Sequence, residues 1–457
     1  MERRVVITGM GAVTGVGVGA DALWSALAHG ESCLKACALF DASGFPCHLA
    51  GVAEGFSAKS FVPKSYRKAV KVMARDIELA VAAADEAIRL AGLVTRAEAP
   101  AAEDGTPGDT TYPADRLGCH IGAGLINAET AELARALHTA TDEAGTFGWD
   151  KWGTEGEAAQ GGMNNLTPLW MLKYLPNMLA CHVTIIHGAE GVSNTITNAE
   201  ASGLLSIGES ARCIERGQCD ASVAGSAESK VNPMGFTRLA LCGRMADSAG
   251  HDDARELLKP FSAKSAGTVV GEGGGILVLE DRASAESRGA TVLAEVIGFG
   301  AAHSSPPVMP PLDSGAGDGG IEDGLAWAVR AALDDAGVTV EQIDAIVPRG
   351  SGVPAEDSRE IGALRDVFGT TLDSTPIVPW SPATGDLMAG NGGVQAVVAT
   401  KMLASGTFPR CVNASGEAFT PKPRDDAGTG SGRPRYVLVC SPALGGQNAA
   451  LVLSAAT

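Results

Sequence analysis

The stretch Tyr174–Ala227, YLPNMLACHVTIIHGAEGVSNTITNAEASGLLSIGESARCIERGQCDASVAGSA, decides how this chain is read. Ala201–Arg216 carries apolar residues at helical spacing, and Asp220–Gly225 (DASVAG) follows it as a short apolar strand. Just before the helix, among small residues, stands Glu200. A carboxylate there would gain from the positive end of the helix dipole. His182 and His187 flank strand-like apolar residues, and with Cys181 they read as core residues rather than as chemistry.

Outward from this stretch, short apolar strands alternate with alanine-rich helices, the pattern of an α/β fold with buried sheets. Arg4–Gly9 reads as a strand running into a glycine turn, and Asp76–Leu93 as an amphipathic helix ended by Gly92. Leu117–Gly124, Gly275–Glu280 and Ala294–Ala301 are further strands. Beyond them, Gly324–Gly337 and Gly393–Leu403 read as helices, Ile343–Val347 and Arg435–Val439 as strands. Thr95–Asp115, His303–Gly320 and Pro421–Arg433 are rich in turn formers and lack apolar periodicity. The second of these suggests a division into residues 1–300, with an insertion at about 95–115, and 301–457.

The 53 acidic residues against 35 basic ones give a formal net charge of −18. That balance argues against non-specific binding to nucleic acid or to an anionic membrane. No apolar run approaches the roughly 20 residues that span a bilayer. The start, MERRVVITGMGAV, lacks the apolar region of a cleavable signal, so a cytoplasmic location is expected. The ten cysteines form no CxxC pair and share no zinc-ligand spacing with histidine, and neither a disulfide framework nor a structural zinc is expected. Two glycine motifs fall short of nucleotide binding. Gly9-Met10-Gly11-Ala12-Val13-Thr14 has threonine where the dinucleotide fingerprint needs its third glycine, and Val270–Gly275 lacks the P-loop's Lys-Ser/Thr. No cofactor is expected.

The deciding stretch resembles the β-ketoacyl-ACP synthases of the thiolase fold. The likeness runs along the chain in order: VVITGMGAV at the start, KPFSAKSAGTVVGEGGGILVLED at 259–281, then PRGSGVPAED, SPATGDLMAGNGG and LGGQNAALVLS. It implies a duplicated thiolase-like fold stacked as five layers, α-β-α-β-α, and an intimate dimer. Enzymes of that family acylate a cysteine at a helix N-terminus, and two histidines stabilise the oxyanion during decarboxylation of a malonyl thioester.

Against the family's motifs every one of these positions is changed. Where TACASG carries the cysteine, this chain has Glu200. In the HGTGTxxxD run Arg349 stands for the first histidine. In the K-S-M-T-G-H run Ser381 replaces the lysine and Asp386 the second histidine, with Thr384 between them. Gln395 stands for the glutamate that follows, and Leu444 for the gating phenylalanine of GFGGTN. The histidine count agrees without any alignment: all eight lie between His29 and His303, so residues 304–457, which would have to supply both catalytic histidines, hold none. The expectation is therefore that Glu200, Arg349 and Asp386 face one another as a charge cluster, with Ser381, Thr384, Gln395 and Leu444 as candidate substrate-binding positions.

Three functions compete on these residues. The first is a non-condensing homologue, similar to the chain-length factors that pair with an active ketosynthase, in a homodimer or a heterodimer. The second is an enzyme with altered acyl-thioester chemistry, using Glu200 as base or nucleophile and Arg349 as a carboxylate or oxyanion binder. The third is an acyl-binding protein whose pocket outlived its chemistry. Acyl carrier protein or an acyl thioester is the implied partner in each.

Overall fold

The computed structural model describes residues 3–102, 108–153, 161–304, 324–410 and 432–456. Most of the turn-rich stretches at 303–320 and 421–433 lie outside the described residues, as do 103–107 within the expected insertion.

The N-terminal half holds strands β1 (Val5–Thr14), β2 (Leu117–Ala123), β3 (Ser193–Ile196), β4 (Ala221–Ser229) and β5 (Val270–Asp281). They lie side by side in the order β3-β2-β4-β5-β1; the first three are parallel, and β5 runs antiparallel to β4 and to β1. The C-terminal half repeats this plan with β6 (Ala294–His303), β7 (Ala345–Val347), β8 (Tyr436–Pro442) and β9 (Gln447–Ala455). Their order is β7-β8-β9-β6, with β7 and β8 parallel and β9 antiparallel to both neighbours. A single parallel bridge from Ile346 to Ile377 stands where β3 stands in the first half. The two sheets touch through β1 and β6, at Val5–Ile7 against Ala294–Val296.

The helices repeat as well: α1 (Arg75–Ala91), α2 (Met178–His187) and α3 (Ser202–Glu215), then α4 (Gly324–Ala336), α5 (Pro354–Phe368) and α6 (Asn391–Ser405). Between the sheets, α3 and α6 bury Leu204, Ile207, Val394 and Val397 against Ile7 and Leu277 of one sheet and Val437 and Leu451 of the other. Alternate residues face outward, Val278 and Ile276 to α1 and α2, Leu438 and Val452 to α4 and α5. Strands apolar on both faces are what a sheet covered by helices on each side requires. The result is the five-layer α-β-α-β-α stack of the thiolase-like fold.

Three details depart from the sequence reading. Strand β1 runs straight through Gly9 and Gly11, because the glycines serve helix packing rather than a turn. A Cβ on either would lie 2.1 or 2.2 Å from the carbonyl oxygen of Ala87 or Ala83 on α1. The run around His182 and His187, strand-like by its apolar residues, is helix α2. The expected division at 300/301 falls inside β6, which pairs with β9 from residue 294 onward.

Candidate functional site

The parallel strands of both halves end on one side of the stack, and the loops that follow them converge there. Glu200 lies in a 3-10 turn, Ala199–Ala201, that leads into α3. Arg349 follows β7, Asp386 precedes α6, and Leu444 lies between β8 and β9. The N-terminal ends of α3 and α6 touch through glycine: a Cβ on Gly203 would lie 2.6 Å from Gly393 N, and one on Gly392 2.7 Å from Leu204 N. No larger residue would let the two loops approach so closely.

Arg349 Nη2 lies 3.1 Å from Glu200 Oε1 and 3.2 Å from Asp386 Oδ2. The expected meeting of the three residues is therefore seen, and all are at least 97% buried. Two further members have no counterpart in the sequence reading. Arg244 Nη2 stands 2.9 Å from Glu200 Oε1 and 3.5 Å from Asp386 Oδ2. Glu356, in the first turn of α5, lies 2.8 Å from Arg244 Nε and 3.0 Å from Arg349 Nη1. The site is a pentad of two guanidiniums and three carboxylates.

Each member is fixed by its own loop. Asp386 Oδ1 accepts from Met388 N–H (2.9 Å) and Asn391 Nδ2 (2.7 Å). Glu360 of α5 accepts from the backbone N–H of Arg349 and Gly350, and Asp357 from Ser351, Gly352 and Phe261. Glu200 Oε2 accepts from Leu444 N–H at 3.2 Å. The Leu444 side chain is 48% exposed. Ser381 Oγ donates to Gly350 O, Thr384 Oγ1 to Gly385 O, and Gln395 Nε2 to Val347 O and Cys440 O. These three buried side chains bind backbone carbonyls and none reaches the pentad. His182 and His187 lie away from it, bonded to Tyr66 and Thr95, and burial pushes both imidazoles down to about 4. Among the described residues no group of three or more His, Cys, Asp or Glu is placed to hold a metal.

Five ionised groups would leave the pentad with one negative charge in excess. Burial pushes Glu356 up to about 7 against the pull of Arg349, so the balancing proton resides there near neutral pH. Burial also raises Glu360 to about 7 and Asp357 to about 6. For Arg349 burial works the other way, but Glu200, Glu356 and Asp386 together hold it above the ordinary arginine value.

These shifts have a sign. A carboxyl whose pKa is higher folded than unfolded keeps its proton in the native state over a range where the unfolded chain has lost it. Stability then falls as pH rises through that range. His182 and His187, pushed down to about 4, act the opposite way below the ordinary imidazole value. The raised carboxyls of Glu356, Glu360 and Asp357 outnumber them, so the unfolding midpoint should be higher at pH 5.5 than at pH 8, and Glu356→Gln should flatten part of the slope. A midpoint that climbs steadily from pH 5.5 to pH 8 would refute this.

The turn holding Glu200 is strained. Ala199 has φ 47°, one of four non-glycine residues with positive φ among those described. The left-handed region costs an L-residue about 1–2 kcal/mol, part of which glycine returns as lost chain entropy. Ala199→Gly should accordingly stabilise the protein by about 0.5–1 kcal/mol in denaturant unfolding, and a loss would show that the alanine methyl is needed for packing.

This fold and the descent of its loops define the class. The chain belongs to the β-ketoacyl synthase family: the model of the family's N-terminal domain matches residues 2–285 and that of its C-terminal domain residues 294–415. It is similar to 3-oxoacyl-[acyl-carrier-protein] synthase 2 of Vibrio cholerae, 30% identical over 413 residues, with 90% of this chain and 89% of the relative covered. The enzyme of the same description from Staphylococcus aureus strain N315 is 28% identical over 458 residues, covering 99% and 98%. Among solved structures, the ishigamide ketosynthase/chain length factor matches with a TM-score of 0.77 at 26% identity over the whole of both chains. A β-ketoacyl synthase from Burkholderia phymatum STM815 shares the fold, with a TM-score of 0.77 at 24% identity and complete coverage of both. The family is one of fatty acid and polyketide biosynthesis.

Proposed function

We propose that this protein is a non-condensing β-ketoacyl synthase homologue that acts as partner subunit to an active ketosynthase, in the manner of a chain-length factor. One observation carries the reading: the residue at the nucleophile's place is a buried carboxylate held by Arg244, Arg349 and the Leu444 N–H. With two guanidiniums on one oxygen and a backbone N–H on the other, the carboxylate's negative charge is neutralised and most of its lone-pair sites are occupied. That makes it a poor nucleophile toward a thioester. The two positions that carry histidines in the family hold an arginine and an aspartate, each locked in the same cluster. These contacts weigh against the reading in which Glu200 is base or nucleophile.

Pairing with a partner finds support at the free edge of the sheet. β3 is the last strand on its side, its outer backbone groups unpaired by any described strand. Val192, which immediately precedes β3, and Ile185 on α2, which packs against it, are exposed. An unpaired edge flanked by large apolar side chains is a surface built to be covered. The interface would be of obligate size, above about 2,000 Å². A cytoplasmic setting, with acyl carrier protein or its acyl thioester passing nearby, goes with this role, and no helix among the described residues is long and apolar enough to cross a membrane.

Two measurements on one preparation test the assignment. Light scattering at micromolar concentration should report a dimer. Purification at native expression level should bring down an intact ketosynthase. A monomer at that concentration, or a protein that never retains a ketosynthase, would count against the subunit role.

A further inference from the structure

The three donors on Glu200 would hold any carboxylate. Arg244 Nη2 and Arg349 Nη2 approach one oxygen at 2.9 and 3.1 Å, and Leu444 N–H the other at 3.2 Å. None of the three is positioned by Glu200 itself. Arg349 is anchored by Glu356 and Asp386 through its side chain and by Glu360 through its backbone. Arg244 is anchored by Glu356 and Asp386. Leu444 is set by the tight link between β8 and β9, where Ala443 N–H donates to Gln447 O. Arg349 Nε is also buried with no hydrogen-bond acceptor, so this guanidinium has capacity beyond the groups now facing it. Two desolvated guanidiniums and one backbone N–H converging on one point make a receptor for a planar anion.

We infer that Arg244, Arg349 and the Leu444 N–H form a carboxylate-binding site, and that the chain fills it with its own Glu200. The ligand class is a small monocarboxylic acid, since Cγ and the carboxyl of Glu200 have the size of acetate. In the native chain Glu200 is the tethered ligand, and an outside acid binds only where Glu200 is removed or turned out. The inference rests on the reading of Glu200 as the occupant of the lost nucleophile's place, and extends it: the site holds a permanent internal carboxylate where the family has its nucleophile.

The test is rescue of Glu200→Ala by formate or acetate at pH 6, where Glu356 keeps its proton and the entering anion is balanced. About 100 mM of either salt should raise the variant's unfolding midpoint by about 2 °C or more over equal chloride, saturably. The wild type should show no such difference, and adding Arg349→Ala to Glu200→Ala should abolish it. Equal responses in wild type and variant, or none in either, would overturn the inference. Should Glu200→Ala fail to fold in chloride, recovery of folded protein on refolding in formate supports the site, and failure in both salts overturns it. No turnover is read here, so a negative result leaves the non-condensing reading standing, and condensation by the wild type would remove that reading without touching this site.

Discussion

Arg349→Ala should lower the unfolding free energy by about 3–5 kcal/mol, the range found when one partner of a buried ion cluster is removed. The arginine is 3% exposed and stands within 3.2 Å of Glu200, Asp386 and Glu356. Without it three carboxylates share Arg244 alone, and two must be protonated or left uncompensated in a dry interior. Glu200→Gln should behave oppositely. It leaves Arg244 and Arg349 against Asp386 and Glu356, two charges of each sign, and keeps an amide oxygen for the Leu444 N–H. A cost within about 1 kcal/mol is expected, as for a neutral hydrogen bond replacing a charged one. Guanidinium unfolding at one fixed protein concentration measures both, since the stability of any oligomer would depend on concentration. Similar losses for the two variants would mean that packing volume, not charge, holds the site.

Restoring the thiol should not restore condensation. Glu200→Cys would place a sulfur between two guanidiniums at the start of α3, surroundings that favour a thiolate. The variant should therefore be alkylated at residue 200 by iodoacetamide far faster than at Cys33 and Cys219, whose thiols burial has raised to about 12. Carbon–carbon bond formation needs more: donors free to receive the charge that develops on the malonyl thioester. Arg349 and Asp386 cannot provide them, because Arg349 is committed to Glu356 and Asp386, and Asp386 is itself an anion. Condensation by Glu200→Cys should stay at the no-enzyme rate, and groups that act as a unit are known to lose nearly everything when one is missing. Turnover in this variant would show that the two loops can still serve as an oxyanion site.

The layered fold was legible because its strands and helices carry their own periodicities. The helix expected at Ala201–Arg216 is Ser202–Glu215, and that at Asp76–Leu93 is Arg75–Ala91, ended by Gly92 in the left-handed conformation. What could not be read was pairing across distance. β6 shares a sheet with β9, about 150 residues later, and nothing in its composition distinguishes that partner from β5 just before it. The glycines of β1 misled for a similar reason: a residue that admits a turn also admits a helix at contact distance, and only the partner tells which.

The site divides the same way. Glu200, Arg349 and Asp386 could be named because each stands in a recognisable motif. Arg244 stands in a loop and Glu356 in the first turn of α5, neither with a local signal, although Glu356 lies within the run that contains Arg349. Charge arithmetic was the available hint: two carboxylates and one guanidinium, all buried, ask for a second cation, and Arg244 is that cation.

On the proposed function, this charge cluster stands in place of condensation chemistry. Purified wild-type protein, alone, with acyl- and malonyl-loaded carrier protein, tests it by the appearance of the β-ketoacyl product. The rate should be indistinguishable from that of the control without protein. Product formed above that control, and abolished by Glu200→Gln, would contradict it and make Glu200 a catalytic residue.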